Sequence, residues 1–427
     1  MINEKTIFYY FAILLTLIII PTSESVEYKA NGILDIRASN TDSLEKSYIA
    51  GGQGKFGLSD GQQLTIAQAG VELSAQWENG LSTHGVFNSF LDQEDSAAGV
   101  TEAYLKYRGL PNSSGYRLQV KGGIFYPEIS LENKAFAWAS KDTLNSSTIN
   151  TWIGEEIRVL GSEFKITRLG RMNDDAFDLS FSATAFINND PSGALLAWHG
   201  WTMSSRQTLW GEARELPWFP AREGALAGQA DKSEPFLEID HKVGYHVRGE
   251  WSLHGKGELS AGYYNNRAIP YKVKNGQYAW QTRFYHLGAS WRFSKNLSLL
   301  AQFLSGDTLM QSPLQVDMVN NDYTSAFVSL TYKWQDFPWG DKLGNKKHKS
   351  TVRIEDFFIT DHDDTLGDNN NEDGQAFSLN HTYRLTKHWF LSAEFNYIDS
   401  HRPARYYTHD PVDLVEKQLQ LAARYFF

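Results

Sequence analysis

Phe177-Asp178-Leu179-Ser180-Phe181-Ser182-Ala183-Thr184-Ala185-Phe186-Ile187 decides how this chain reads. Phe177, Leu179, Phe181, Ala183, Ala185 and Ile187 fall on one side; Asp178, Ser180, Ser182 and Thr184 fall on the other. A helix repeats its apolar face every 3.6 residues, so strict alternation of this kind belongs to an extended strand with one oily and one wet face. The pattern recurs. In Tyr116 to Tyr126 the apolar Tyr116, Leu118, Val120 and Ile124 alternate with Arg117, Gln119 and Lys121. In the final segment Leu419, Leu421, Ala423, Tyr425 and Phe427 alternate with Gln418, Gln420 and Arg424.

Extending the period along the chain predicts about sixteen strands: 27–37, 62–77, 82–92, 101–108, 115–126, 155–167, 176–189, 240–253, 256–264, 280–293, 297–306, 323–335, 350–360, 375–385, 389–399 and 414–427. Connections after odd-numbered strands are long, apart from the short one after the third. Those after even-numbered strands are tight, as in Glu78-Asn79-Gly80-Leu81 with its hairpin-forming Asn-Gly, His254-Gly255, and Ser294-Lys295-Asn296. Asp336 to Lys349 breaks this rule. Long loops at one end and short turns at the other are the arrangement of a transmembrane antiparallel β-barrel, with an even strand count bringing both chain ends to one side. The fold class expected is therefore all-β. Trp77, Tyr126, Trp280, Trp291, Phe293, Trp334 and Trp389 stand near predicted strand ends, where aromatic girdles would meet the lipid headgroups.

Composition agrees. There is no cysteine among the 427 residues, which removes disulfide scaffolds and thiolate-ligated metal sites. The formal charge of −10 argues against a general nucleic-acid binder. Aromatics make up 14%, which is not the composition of a disordered chain. Residues 1–25 read as a secretory signal peptide. Lys5 precedes an apolar run from Ile7 to Ile20, and small residues at Ser23 and Ser25 fit a cleavage site after Ser25. The expected domain organisation is a signal peptide over 1–25 and a barrel over 26–427.

The ending Leu419 to Phe427, an alternating strand closed by Phe, resembles the assembly signal of bacterial outer-membrane barrels. With the signal peptide, the whole chain resembles a sixteen-stranded Gram-negative porin. Lys121-Gly122-Gly123-Ile124-Phe125-Tyr126-Pro127 and the loop after it are loosely similar to the phosphate-selective porins. The resemblance implies residence in the outer membrane among lipid and lipopolysaccharide, small hydrophilic solutes as cargo, and a homotrimer. No cofactor, metal or nucleic acid is expected.

A porin selects by the charge and shape of its lumen. Strand parity turns Lys106, Arg108, Arg117, Lys121, Arg292, Lys333, Arg353, Arg384 and Arg424 inward, against Glu72, Asp178, Glu355 and Glu394. That excess of positive charge suggests an anion preference, with unselective diffusion as the alternative. The loop from Pro127 to Ile153 is expected to fold into the lumen and set Glu128 and Glu132 opposite Arg117 and Lys121 as an eyelet. The loop from Asn188 to Pro235 is rich in tryptophan; it reads as a self-packing cap, or as a sugar-stacking surface. Asp361 to Asp373 is dense in carboxylates and reads as a solvated loop, with calcium binding as the alternative. There is no Gly-x-Ser-x-Gly, His-Glu-x-x-His or Walker motif, and no catalytic residue is assigned. A hydrolase, or an adhesin or scaffold built on the same barrel, remains the competing reading.

Overall fold

The computed structural model of the protein describes residues 26–92, 94–334 and 347–427. Sixteen strands form one closed antiparallel barrel. They are β1 (Val26–Asp42), β2 (Gly61–Trp77), β3 (Leu81–Leu91), β4 (Ala97–Arg108), β5 (Tyr116–Phe125), β6 (Val159–Arg168), β7 (Phe177–Phe186) and β8 (Gly244–Leu253). The circuit continues with β9 (Gly257–Asn265), β10 (Gln281–Arg292), β11 (Leu297–Gln311), β12 (Asp317–Lys333), β13 (His348–Asp361), β14 (Glu372–Arg384), β15 (Trp389–His401) and β16 (Asp413–Phe426). β16 pairs with β1 from Ile33↔Phe426 to Asp42↔Lys417 and closes the circle. At that seam Gly32 and Phe427 exchange backbone hydrogen bonds of 3.0 and 3.2 Å. A Cβ at position 32 would collide with the Phe427 ring, so the close approach requires glycine there.

The alternation does what the sequence requires. Leu118, Val120, Phe164, Ile166, Leu179 and Phe181 are exposed on the outer wall, while Lys121, Glu163 and Ser182 point inward and are largely covered. An apolar exterior on a closed barrel is a surface for lipid, and closure leaves no unpaired strand edge. No helix among the described residues is long and apolar enough to cross a membrane; the crossing elements are strands.

Several expectations need correction. The sixth strand starts at Val159, because 155 and 156 close a helix, α1 (Thr148–Glu156), whose nine residues are all buried. The connection after β11 is short, 312–316, because β11 and β12 run beyond the apolar belt with polar residues such as the cross-strand pair Asp307 and Asp322. The irregular segment after β12 falls mostly on residues 335–346, outside those described. Tyr126 and Trp280 do not join a girdle. Tyr126 turns inward and stacks on Trp138 at 4.2 Å, and Trp280 meets Trp198 edge-on at 4.9 Å. At the short-turn end Trp389 and Tyr425 do lie opposite one another on neighbouring strands, and Trp251 of β8 stacks on Trp291 of β10 across the intervening β9.

Candidate pore and its constriction

The lumen is occupied by connections from the long-loop end. Residues 126–158, between β5 and β6, fold inside the barrel and carry α1. The wall holds this loop through carboxylates that accept its amides. Leu144 N–H and Asn145 N–H donate to Glu394, the second at 2.9 Å, and Thr148 N–H donates to Glu355 at 2.7 Å. Glu355 thus sits at the first turn of α1, where free amides and the helix dipole favour an anion. Ser147 caps the same turn by accepting from Asn150 N–H at 3.3 Å.

Arg353, fully buried on β13, is the hub. It pairs with Glu132 of the loop and with Glu355 at 2.7 Å, and donates to the carbonyls of Asn145 and Ser146, each at 3.1 Å. Arg424 pairs with Asp35 at 3.1 Å and donates to Ser140 O at 3.3 Å. Arg37, on the same side, donates to Leu144 O at 3.2 Å. These arginines brace the loop; they are not open to a passing solute.

The connection 187–243 adds a second plug element. Its short helix α2 (Ala194–His199) abuts α1 through Glu156, whose carboxylate accepts from Gly193 N–H and Leu195 N–H, each at 3.0 Å, and from the Trp152 indole at 2.6 Å. Burial pushes the Glu156 carboxyl up to about 7 against the pull of those donors. Trp152 meets Trp201, Phe284 and Tyr323 edge-on at 6.0, 5.3 and 5.3 Å. Trp198 and Trp201 are buried, so the tryptophan-rich loop packs on itself and on the lumen wall, and offers neither ring to a sugar. The first connection, 43–60, joins the plug: Lys55 pairs with Glu372 and donates to His199 O at 3.0 Å. Burial brings the Lys55 ammonium down to about 7, with Glu372 opposing the shift. In 361–373, Glu372 also faces Arg402 at 3.6 Å, and the Asp361 and Asp363 carboxylates accept backbone amides of their own neighbourhood. No calcium cradle forms there among the described residues.

Open polar space lies below the loop, toward the short turns. A cavity of about 250 Å³ is lined by Tyr104, Lys106, Gln119, Lys121, Glu128, Glu163 and Lys165. Lys121 pairs with Glu163 at 3.1 Å; Glu128 pairs with Lys165 at 2.8 Å and with Arg248 at 3.0 Å. Burial alone would raise the Glu128 carboxyl, but Lys165, Lys121 and Arg248 outweigh it and hold it down to about 2. Lys106 and Lys121 are direct cross-strand partners, a like-charge juxtaposition that disfavours the pair unless an anion or water intervenes. A second opening of about 470 Å³ is bordered by Glu132, Lys134, Lys141, Asp142, Lys256, Arg292 and Lys333.

The candidate residues therefore separate into three places. Lys106, Lys121 and Glu128 meet in the inner cavity. Arg108, Arg117, Arg292, Lys333 and Arg384 stand at strand ends facing the short-turn mouth, and all but Arg117 are exposed. Glu132, Arg353 and Arg424 form the brace. The expected eyelet is rearranged: Glu128 does approach the Lys121 wall, whereas Glu132 turns away to Arg353, and Arg117 lies below both. Sequence reading missed Asp35, Arg37, Glu163, Lys165 and Arg248, although strand parity was available for each of them.

No protein-family model matches the sequence, and no curated protein matches it. Solved structures do match the fold. The outer membrane channel DcaP of Acinetobacter baumannii superposes with a TM-score of 0.54 at 12% identity, covering 95% of this chain and 99% of that one. The anion-selective porin from Comamonas acidovorans gives 0.51 at 12% identity, covering 94% and 100%. The chain has the fold of the outer-membrane porins. OprB of Pseudomonas putida, a third such barrel, gives 0.51 at 13% identity with 94% of each chain covered. Within this porin barrel the inward third loop, the braced arginines and the basic cavity are all supplied by side chains described above.

Proposed function

We propose that the protein is an outer-membrane porin through which small hydrophilic solutes diffuse passively, with a preference for anions. The observation that carries this reading is the inner cavity, where Lys106, Lys121 and Lys165 face two carboxylates, Glu128 and Glu163, beneath an inward loop. Rings of lysine and arginine at a constriction favour anions. The basic residues of the short-turn mouth, Arg108, Arg117, Arg292, Lys333 and Arg384, extend the same field outward. The buried loops toward the other end make the passage narrow, so slow conduction in small steps is expected. This reading includes export with cleavage after Ser25 and assembly as a homotrimer amid lipid and lipopolysaccharide. Conduction requires no catalytic group.

Planar-bilayer recording on the purified barrel tests it. Discrete conductance steps with an anion-directed reversal potential in a salt gradient are expected. Steps with a cation-directed potential would retain the channel and reject the selectivity; silence from a correctly folded barrel would reject the channel.

A further inference from the structure

At the long-loop rim three stretches of chain converge: the start of 187–243 just after β7, its end just before β8, and the connection 266–280 after β9. Asp190 comes from the first stretch, and Glu238 and Asp240 come from the second. One oxygen from each carboxylate lies within 4.8 Å of the others. The third stretch is tied on by Ile269 N–H, which donates to Asp240 at 2.5 Å, and by Trp280 N–H, which donates to Asp190 O at 2.7 Å.

Three carboxylates this close repel, and the surroundings do little to neutralise them. The Asp190 residue is 1% exposed. Its Oδ2 accepts Ile239 N–H and Asp240 N–H, while its buried Oδ1 has no hydrogen-bond partner. Glu238 Oε1 accepts His241 N–H, and its buried Oε2 likewise has no partner. The basic side chains nearby are few: His241 Nδ1 stands 3.8 Å from Glu238, and Lys274 Nζ is spent on the Glu238 carbonyl at 2.8 Å. No lysine or arginine pairs with the three carboxylates among the described residues. Burial, reinforced by the Asp240 and Glu238 charges, pushes the Asp190 carboxyl up to about 7. An unpaired, desolvated carboxylate oxygen is costly. A cation that accepted both free oxygens would remove the cost.

We propose that Asp190, Glu238 and Asp240 form a binding site for a hard divalent cation, Ca²⁺, that fastens the two stems of 187–243 to the 266–280 connection. Carboxylate oxygens are the ligands such an ion takes, with water completing its shell, and an irregular set of ligands from loop backbone suits the variable shell of Ca²⁺ better than the strict octahedron of Mg²⁺. The site lies away from the lumen cavity and does not depend on conduction.

Tb³⁺ luminescence on the full, chelator-treated barrel in detergent tests the proposal, with Trp280 beside the site as the sensitising ring. The wild type should show a saturable signal that Ca²⁺ displaces. Glu238→Gln keeps an oxygen for the His241 amide and so preserves the local fold, which heat-shifted gel migration checks. In that variant Ca²⁺ competition should weaken by about tenfold or more, because a ligand charge is lost. Equal titrations of wild type and variant would place the ion elsewhere on the acidic loops and overturn the proposal, as would the absence of any saturable signal.

Discussion

The Arg353 guanidinium on the barrel wall pairs with the Glu132 carboxylate of the inward loop, two residues separated by 221 positions in the sequence and both buried. Around that pair the loop's carbonyls and amides find wall partners, so the constriction is set by electrostatics and hydrogen bonds as much as by shape.

Arg353→Ala should release the loop. Removing one member of a buried pair costs about 3–5 kcal/mol, because the other charge is left desolvated. Here both Glu132 and Glu355 would be stranded. The expected outcome is a larger and noisier single-channel conductance together with a lower unfolding temperature. Unchanged step size would mean that the loop holds its place without the brace.

Lys106→Glu with Lys121→Glu should reverse the field in the inner cavity. Reversal potential in a salt gradient is the readout, and its sign should change toward cations. Arg117→Glu, nearer the wide mouth, should shift it less.

Trp152→Ala should empty the centre of the plug, where the indole meets Trp201, Phe284 and Tyr323. Truncating a buried aromatic costs about 3–5 kcal/mol. Solute uptake by liposomes carrying the variant should rise, while the barrel itself stays closed because the strand ladder is untouched.

Acid should loosen the 187–243 plug through His199. Burial, aided by Arg214, Arg402 and Lys55, holds this imidazole down to about 3, so the folded state keeps it neutral where an unfolded chain would bind a proton. Between an ordinary histidine pKa near 6.5 and about 3, stability is lost as pH falls, by at most about 1.4 kcal/mol per pH unit. Above that window the contribution is fully present. Unfolding temperatures at pH 7.5 and pH 5 should therefore differ more for the wild type than for His199→Gln.

The strands were legible because the membrane imposes period two on every crossing: Leu118, Val120 and their alternating neighbours carry the signal in single residues. The plug was not. α1 is only nine residues long and buried on all sides; Ile149, Trp152 and Ile153 keep helical spacing, but over too short a run to outweigh the alternation that follows, and its Glu155 and Glu156 read as the start of a strand. Asp307 and its cross-strand partner Asp322 look like loop residues, although they extend β11 and β12 above the lipid, where an outward polar side chain carries no penalty. Parity found Lys106, Lys121 and Arg353 but could not say that Arg353 would be consumed by Glu132, since no local pattern links residues so far apart.

The seam between β1 and β16 has a consequence for assembly. Its partners, such as Ile33 and Phe426, lie at opposite extremes of the barrel sequence. Until the final strand arrives, every intermediate presents two raw edges whose amides and carbonyls find no partner in hydrocarbon. Loop-closure entropy makes that pairing the most remote of all the ladder contacts. Closure therefore needs the whole chain at once: without 413–427 the edge of β1 loses its ladder to β16 and the Gly32–Phe427 hydrogen bonds that finish it, and no shorter ring is available from the remaining strands.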